Sequence, residues 1–180
     1  MSEISDLLPS TNVALLWITS LIVTVLCLFW RRRFRNRRHQ NMQRQAKRVA
    51  AKIRTLPAFP QKLSYLRKIN PFVFEEMLLD AFELAGHKIR RNKRYTGDGG
   101  IDGRVWINGE LHLIQAKRYS GHVAIQHIRE FEALLRANNC KGFFCHTGKT
   151  RDSGKELAKS GSMTLISGTR LLQLLEHGRL

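Results

Sequence analysis

Gly97-Asp98-Gly99-Gly100-Ile101-Asp102-Gly103 and Ile114-Gln115-Ala116-Lys117-Arg118, joined across Asn108-Gly109, decide how this chain is read. Asn-Gly is the pair that a two-residue hairpin turn prefers, because both central residues take positive φ. It predicts a strand over residues 101–107 paired directly with a return strand over 111–117. Side chains two apart on a strand share a face, so Gln115 and Lys117 project together. Asp102, at the start of the neighbouring strand, comes beside them in register. The glycines around Asp98 mark a turn or an irregular strand entry; Asp98 itself either shapes that turn or joins the site.

Working outward, Asn70 is a candidate N-cap with Pro71 at the first helical position. Phe74, Met77, Leu78, Ala81, Phe82 and Ala85 then recur on one helical face, and Gly86 is a good stop. Residues 87–94 read as a short strand rich in Lys and Arg. Downstream, helical spacing covers 122–138, a buried strand 141–147, a short helix 152–160, a strand 163–166 and a last helix 169–176. A hairpin followed by alternating strand and helix implies an α/β domain with a mixed sheet flanked by helices.

The hairpin residues suit phosphodiester cleavage. A hard cation needs oxygen ligands, and Asp102 offers a carboxylate, Gln115 an amide oxygen and Ala116 its backbone carbonyl. Such a cation polarises a phosphoryl group and acidifies bound water. Lys117 can orient that water and stabilise developing charge. Gln in place of a second carboxylate makes the site less negative and its metal binding weaker. Arg118 and Tyr119 either contact phosphate or cap the strand. The basic strand with Lys88, Arg90, Arg91, Lys93 and Arg94 is either a solvated face or a phosphate track. His122, His127 and His146 lack metal-ligand spacing and read as structural. Residues 142–149 hold no complete phosphate loop.

With Phe74-Glu75 upstream, Gly86-His87-Lys88-Ile89, Asp98-Gly99-Gly100-Ile101-Asp102, Gln115-Ala116-Lys117-Arg118, Gly142-Phe143-Phe144 and Leu165-Ile166-Ser167-Gly168, the chain resembles the Mrr-like branch of the PD-(D/E)xK nucleases over roughly residues 70–175. The resemblance implies a restriction-endonuclease-like fold and DNA hydrolysis dependent on Mg²⁺, with Mn²⁺ as a substitute. It implies that Asp102, Gln115 and Lys117 are the motif positions. It also makes Glu75 a helix carboxylate that reaches the site as a catalytic and metal-binding residue, with Glu76 as its alternative. A homodimer is implied in the same way. Ser167 departs from the pattern, since the branch carries an acid there; that position is read as structural or peripheral.

The net charge of +17 attracts polyanions without fixing a fold. It is unevenly spread, because residues 31–69 carry 14 Lys or Arg and no acid. Just before them, residues 13–30 (VALLWITSLIVTVLCLFW) hold no charge. Eighteen residues at about 1.5 Å each nearly match a bilayer's hydrocarbon thickness. Basic residues following the apolar run place the C-terminal bulk in the cytoplasm and argue against a cleaved signal peptide. The expected organisation is a short outer tail (1–12), a transmembrane helix (13–30), a basic juxtamembrane helix and linker (31–69) and a nuclease domain (70–180). The basic residues 31–54 serve topology and anionic lipid first, DNA capture second. The three cysteines have no framework spacing and fit a reducing compartment.

The sequence thus leads to a single-pass inner-membrane protein with a cytoplasmic endonuclease domain acting on DNA, in defence or in processing of incoming DNA. The alternative is an inactive nuclease fold that binds nucleic acid or partner proteins at the membrane.

Overall fold

The computed structural model describes residues 11–92, 99–159 and 161–179. They fall into two compact units, Met1–Asn41 and Met42–Leu180. A helix, α1 (Thr11–Thr55), starts in the first and ends in the second. It runs unbroken from the apolar stretch into the basic one.

In the first unit the helix carries the uncharged stretch up to Trp30 and is exposed there. Its most apolar 18 residues average a hydropathy of 1.6 with none of them buried. Leu16, Trp17, Leu21 and Trp30 are all exposed. By length and composition this is a candidate membrane span.

The second unit begins at Met42, ahead of the residue 70 at which the nuclease domain is expected to start. The last turns of α1 bury Ala46 and Ile53, with Met42, Val49 and Ala50 packed beside them. Arg44, Lys47, Arg48 and Lys52 stay exposed on the same turns. What sequence analysis gave to a linker contains a further helix, α2 (Phe59–Lys68), which buries Leu63 and Leu66. Pro60 at its start broke the sequence pattern, yet proline is tolerated in a first helical turn.

α3 (Pro71–Leu84) follows, capped by the Asn70 side chain, which accepts the Phe72 N–H at 2.9 Å. The strands are β1 (Lys88–Arg91), β2 (Gly103–Ile107), β3 (Glu110–Lys117), β4 (Lys141–His146) and β5 (Met163–Ile166). Between and after them lie α4 (Ile125–Ala137), α5 (Asp152–Ala158) and α6 (Gly168–His177). The sheet order is β1-β2-β3-β4-β5. β1, β2 and β3 are antiparallel neighbours, while β3, β4 and β5 run parallel. The turn at Asn108-Gly109 has φ of 51° and 85° and fixes the β2–β3 register.

The sheet is covered on both faces. Val105, Ile114, Phe143 and Cys145 pack toward α3, α6, α2 and the end of α1. Leu113, Phe144 and Met163 pack toward α4 through Ile128, Phe131 and Leu135. Each fully buried side chain such as Phe82 or Leu135 contributes about 1.5–3 kcal/mol. α4 starts later than expected, because His122 bridges Lys149 and the Val123 N–H is bonded to the Lys149 carbonyl.

Candidate active site

The β2–β3 register ends at Gly103 opposite Ile114. One step further, Asp102 turns its backbone N–H onto the Ile114 carbonyl at 2.8 Å. Its carboxylate Oδ2 accepts the Ala116 N–H at 2.7 Å. The side chain thus takes the place of a ladder partner where the two strands part. That bond holds Asp102 against the backbone of Ala116, and so beside the Ala116 carbonyl as well.

Gln115 is 6% exposed. Its Nε2 donates to the Gly100 carbonyl at 2.9 Å, which fixes the orientation of the amide. The other end, Oε1, is buried without a hydrogen-bond partner among the described residues. A buried polar atom left unsatisfied costs about 1–3 kcal/mol, so a site that keeps one calls for an absent ligand or water. Gly100 makes the contact possible: its φ is +84°, and a Cβ there would lie 3.0 Å from Gln115 Nε2.

Lys117, two residues on, shares the face of Gln115 and Leu113 and is half-buried. Among the described residues its ammonium has no hydrogen bond or ion pair. Beside this strand lies β4, with Cys145 opposite Ala116 and His146 opposite Lys117. Burial pushes the Cys145 thiol up, and the nearby Asp102 carboxylate pushes it the same way. Burial lowers the His146 pKa to about 4. The ring is therefore neutral at pH 7, with Nε2 and the Thr150 hydroxyl hydrogen-bonded at 2.9 Å.

This domain also has its family match. Residues 66–175 match the family Mrr_cat, described as a restriction endonuclease. The chain belongs to the Mrr_cat restriction endonuclease family. A solved structure, the MspJI restriction endonuclease in complex with a 27-mer oligonucleotide, is similar with a TM-score of 0.51 at 23% identity. That likeness covers 66% of this chain and 32% of the MspJI chain, so this chain spans about a third of the larger enzyme. It carries the restriction-endonuclease-like fold. No curated protein matches the chain.

The Mrr_cat domain bonds Asp102 to Ala116 and Gln115 to Gly100, and Lys117 follows Gln115 on the same face of β3. Glu75 stands half-buried on α3. Its neighbour Glu76 is the buried one, 2.9 Å from Arg91 Nε. Arg91 also binds Asp80 and Glu83, the latter at 3.1 Å. Burial raises the Asp80 carboxyl against the pull of Arg91. Three carboxylates of α3 thus hold a guanidinium that sequence analysis offered to DNA. Lys93, Arg94 and Asp98 lie outside the described residues. Among the described residues no three His, Cys, Asp or Glu side chains gather as a metal cluster. Ser167 is the N-cap residue of α6 and makes no side-chain cap bond.

Past Lys117, the Arg118 Nη1 donates to the Arg67 carbonyl at 2.9 Å. The Tyr119 N–H donates to the Thr147 hydroxyl at 2.9 Å, and the Tyr119 hydroxyl is hydrogen-bonded to His127. Arg67 and Thr147 escaped sequence analysis. Their partners are 80 and 28 residues away, and no local pattern announces such bonds.

Proposed function

We propose that this Mrr_cat domain is a divalent-cation-dependent DNA endonuclease, held at the inner face of a membrane by the apolar part of α1. The observation that carries the reading is Gln115 Oε1, buried with no partner among the described residues, on the strand whose Ala116 N–H holds the Asp102 carboxylate and whose next same-face side chain is Lys117. An amide oxygen, a carboxylate and the Ala116 carbonyl are hard oxygen donors of the kind Mg²⁺ or Mn²⁺ takes. The donor set fits part of a cation site; Glu75 on α3 is the further carboxylate we assign to it. When bound there, the cation supplies Lewis-acid polarisation and a more acidic water.

The chain's own residues do the rest. Asp102, fixed by the Ala116 N–H, holds negative charge at the strand parting. Gln115 presents an oxygen while its Nε2 stays occupied. Lys117 meets the phosphoryl oxygens and stabilises the charge that develops on them. Arg118 and Tyr119, just beyond, are bonded within the domain to Arg67, Thr147 and His127, which favours strand capping over phosphate contact for them. DNA as substrate is supported by the family and by the oligonucleotide bound to the MspJI enzyme. Foreign DNA is the target that a restriction family suggests. A double-strand cut would take two copies of the site.

The membrane part rests on the bare apolar helix and on the 14 Lys or Arg that follow it without an acid. That charge order supports an N-terminus outside and an enzyme in the cytoplasm. Basic residues near an anionic leaflet add about 1 kcal/mol each.

The test uses the full chain in detergent. Supercoiled plasmid should be nicked or cut with Mg²⁺ or Mn²⁺, and chelation with EDTA should stop it. Salt-dependent DNA binding without cleavage under any divalent cation would replace this reading with that of a binding module. Recovery of the chain from cells in the carbonate-washed soluble fraction would remove the anchor.

A further inference from the structure

β3 leaves the ladder at Lys117, and an isolated strand end frays unless something ties it. Here the tie comes from a helix far away in sequence. Arg67, near the end of α2, donates Nε and Nη2 to the Thr147 carbonyl at 3.1 and 3.0 Å. Arg118 returns the contact, donating Nη1 to the Arg67 carbonyl at 2.9 Å. The Thr147 side chain is fully buried. Its hydroxyl accepts the Tyr119 N–H and donates to the Tyr119 carbonyl, both at 2.9 Å. The Thr147 N–H closes the set on the Lys117 carbonyl at 3.3 Å. Three consecutive residues, Lys117, Arg118 and Tyr119, are thereby bonded to two anchors.

We infer that Arg67 and Thr147 clasp the end of β3 and are positioning residues for the Lys117 ammonium. The inference rests on the reading of Lys117 as the site's cation. The physical reason is the fork of the guanidinium. Two N–H groups on one carbonyl fix direction as well as distance, which a single lysine donor cannot do. The threonine hydroxyl acts as a spacer that saturates both main-chain polar groups of Tyr119. With either anchor gone, the backbone just past Lys117 is held from one side only. A displacement of about 1 Å at a reacting group can cost a hundredfold in rate. Neither anchor needs to touch DNA or metal for this.

The full chain in detergent, with Mg²⁺ and plasmid, tests it with Arg67→Ala, Thr147→Val and Thr147→Ser. Thr147→Val keeps the shape and loses the hydroxyl; Thr147→Ser keeps the hydroxyl. We expect kcat to fall roughly 10- to 100-fold in the first two while KM for DNA stays within about twofold, and Thr147→Ser to restore the rate. Amide hydrogen exchange over residues 115–119 should speed up in the same two variants, with residues 103–107 unchanged. An unaltered exchange rate at 115–119 in both variants would overturn the clasp, as would a normal kcat in an active enzyme. If the unmodified chain cuts no DNA, the endonuclease reading fails, and the exchange data still judge the clasp.

Discussion

Two half-buried polar clusters lie within one domain and are built on opposite lines. At β1 and α3, the Arg91 guanidinium meets Glu76 through Nε and Asp80 and Glu83 through Nη2, so the buried Glu76 has a cation against it. At the parting of β2 and β3, the Asp102 carboxylate is bonded to the Ala116 N–H, and Gln115 and Lys117 share one face of β3. Gln115 Oε1 is buried with no partner among the described residues. The first cluster is complete in itself and reads as architecture. The second keeps a buried oxygen without a partner among the described residues, and that difference is why a cation is proposed there.

The sharpest way to break the contrast is Arg91→Leu. It takes the Arg91 guanidinium away from the buried Glu76, and a broken buried pair costs about 3–5 kcal/mol. Thermal unfolding of the full chain in detergent should show a Tm drop of many degrees. A loss below about 1 kcal/mol would mean the network is a solvated surface pair.

A pH titration of stability sharpens the picture beside Lys117. Burial holds His146 unprotonated in the folded chain down to about pH 4, whereas the unfolded ring binds a proton near pH 6.5. Its contribution is therefore full above 6.5 and is lost as pH falls toward 4, about 3 kcal/mol in all. Denaturant melts of His146→Gln should lack that part of the acid slope. Equal slopes in both chains would show that the ring is protonated when folded.

The smallest change enters the open cluster through the backbone. Gly100→Ala forces a side chain into φ of +84° and 3.0 Å from Gln115 Nε2. Left-handed backbone costs about 1–2 kcal/mol for an ordinary residue. The amide should swing away from its carbonyl, with cleavage reduced roughly tenfold. Wild-type cleavage by this variant would separate the Gln115 orientation from activity.

Much of this is legible in the sequence. Asn108-Gly109 fixed the hairpin register, and that register carries Asp102 to Ala116 and Gln115. Asn70 and Gly86 bounded α3 correctly because capping is local chemistry. The failures have a common cause. α2 was hidden by Pro60 and by its basic residues, although Leu63 and Leu66 were there to be buried. The end of α1 looked like a basic run to be solvated, although Ala46, Ile53 and their neighbours form a stripe that only a partner makes visible. Arg91 looked free because its three carboxylates come from a helix some ten residues earlier. Sequence patterns report which face is apolar; they do not report what will pair with a charge across space.

The central claim is that Asp102, Gln115 and Lys117 cleave DNA phosphodiesters with a divalent cation. Its most direct test measures plasmid cleavage and Tm together for the full chain and for Lys117→Met. Losing the ammonium while keeping the shape should cut the rate at least about a hundredfold and leave Tm nearly unchanged. A Lys117→Met chain that cleaves as fast as the original would contradict the account.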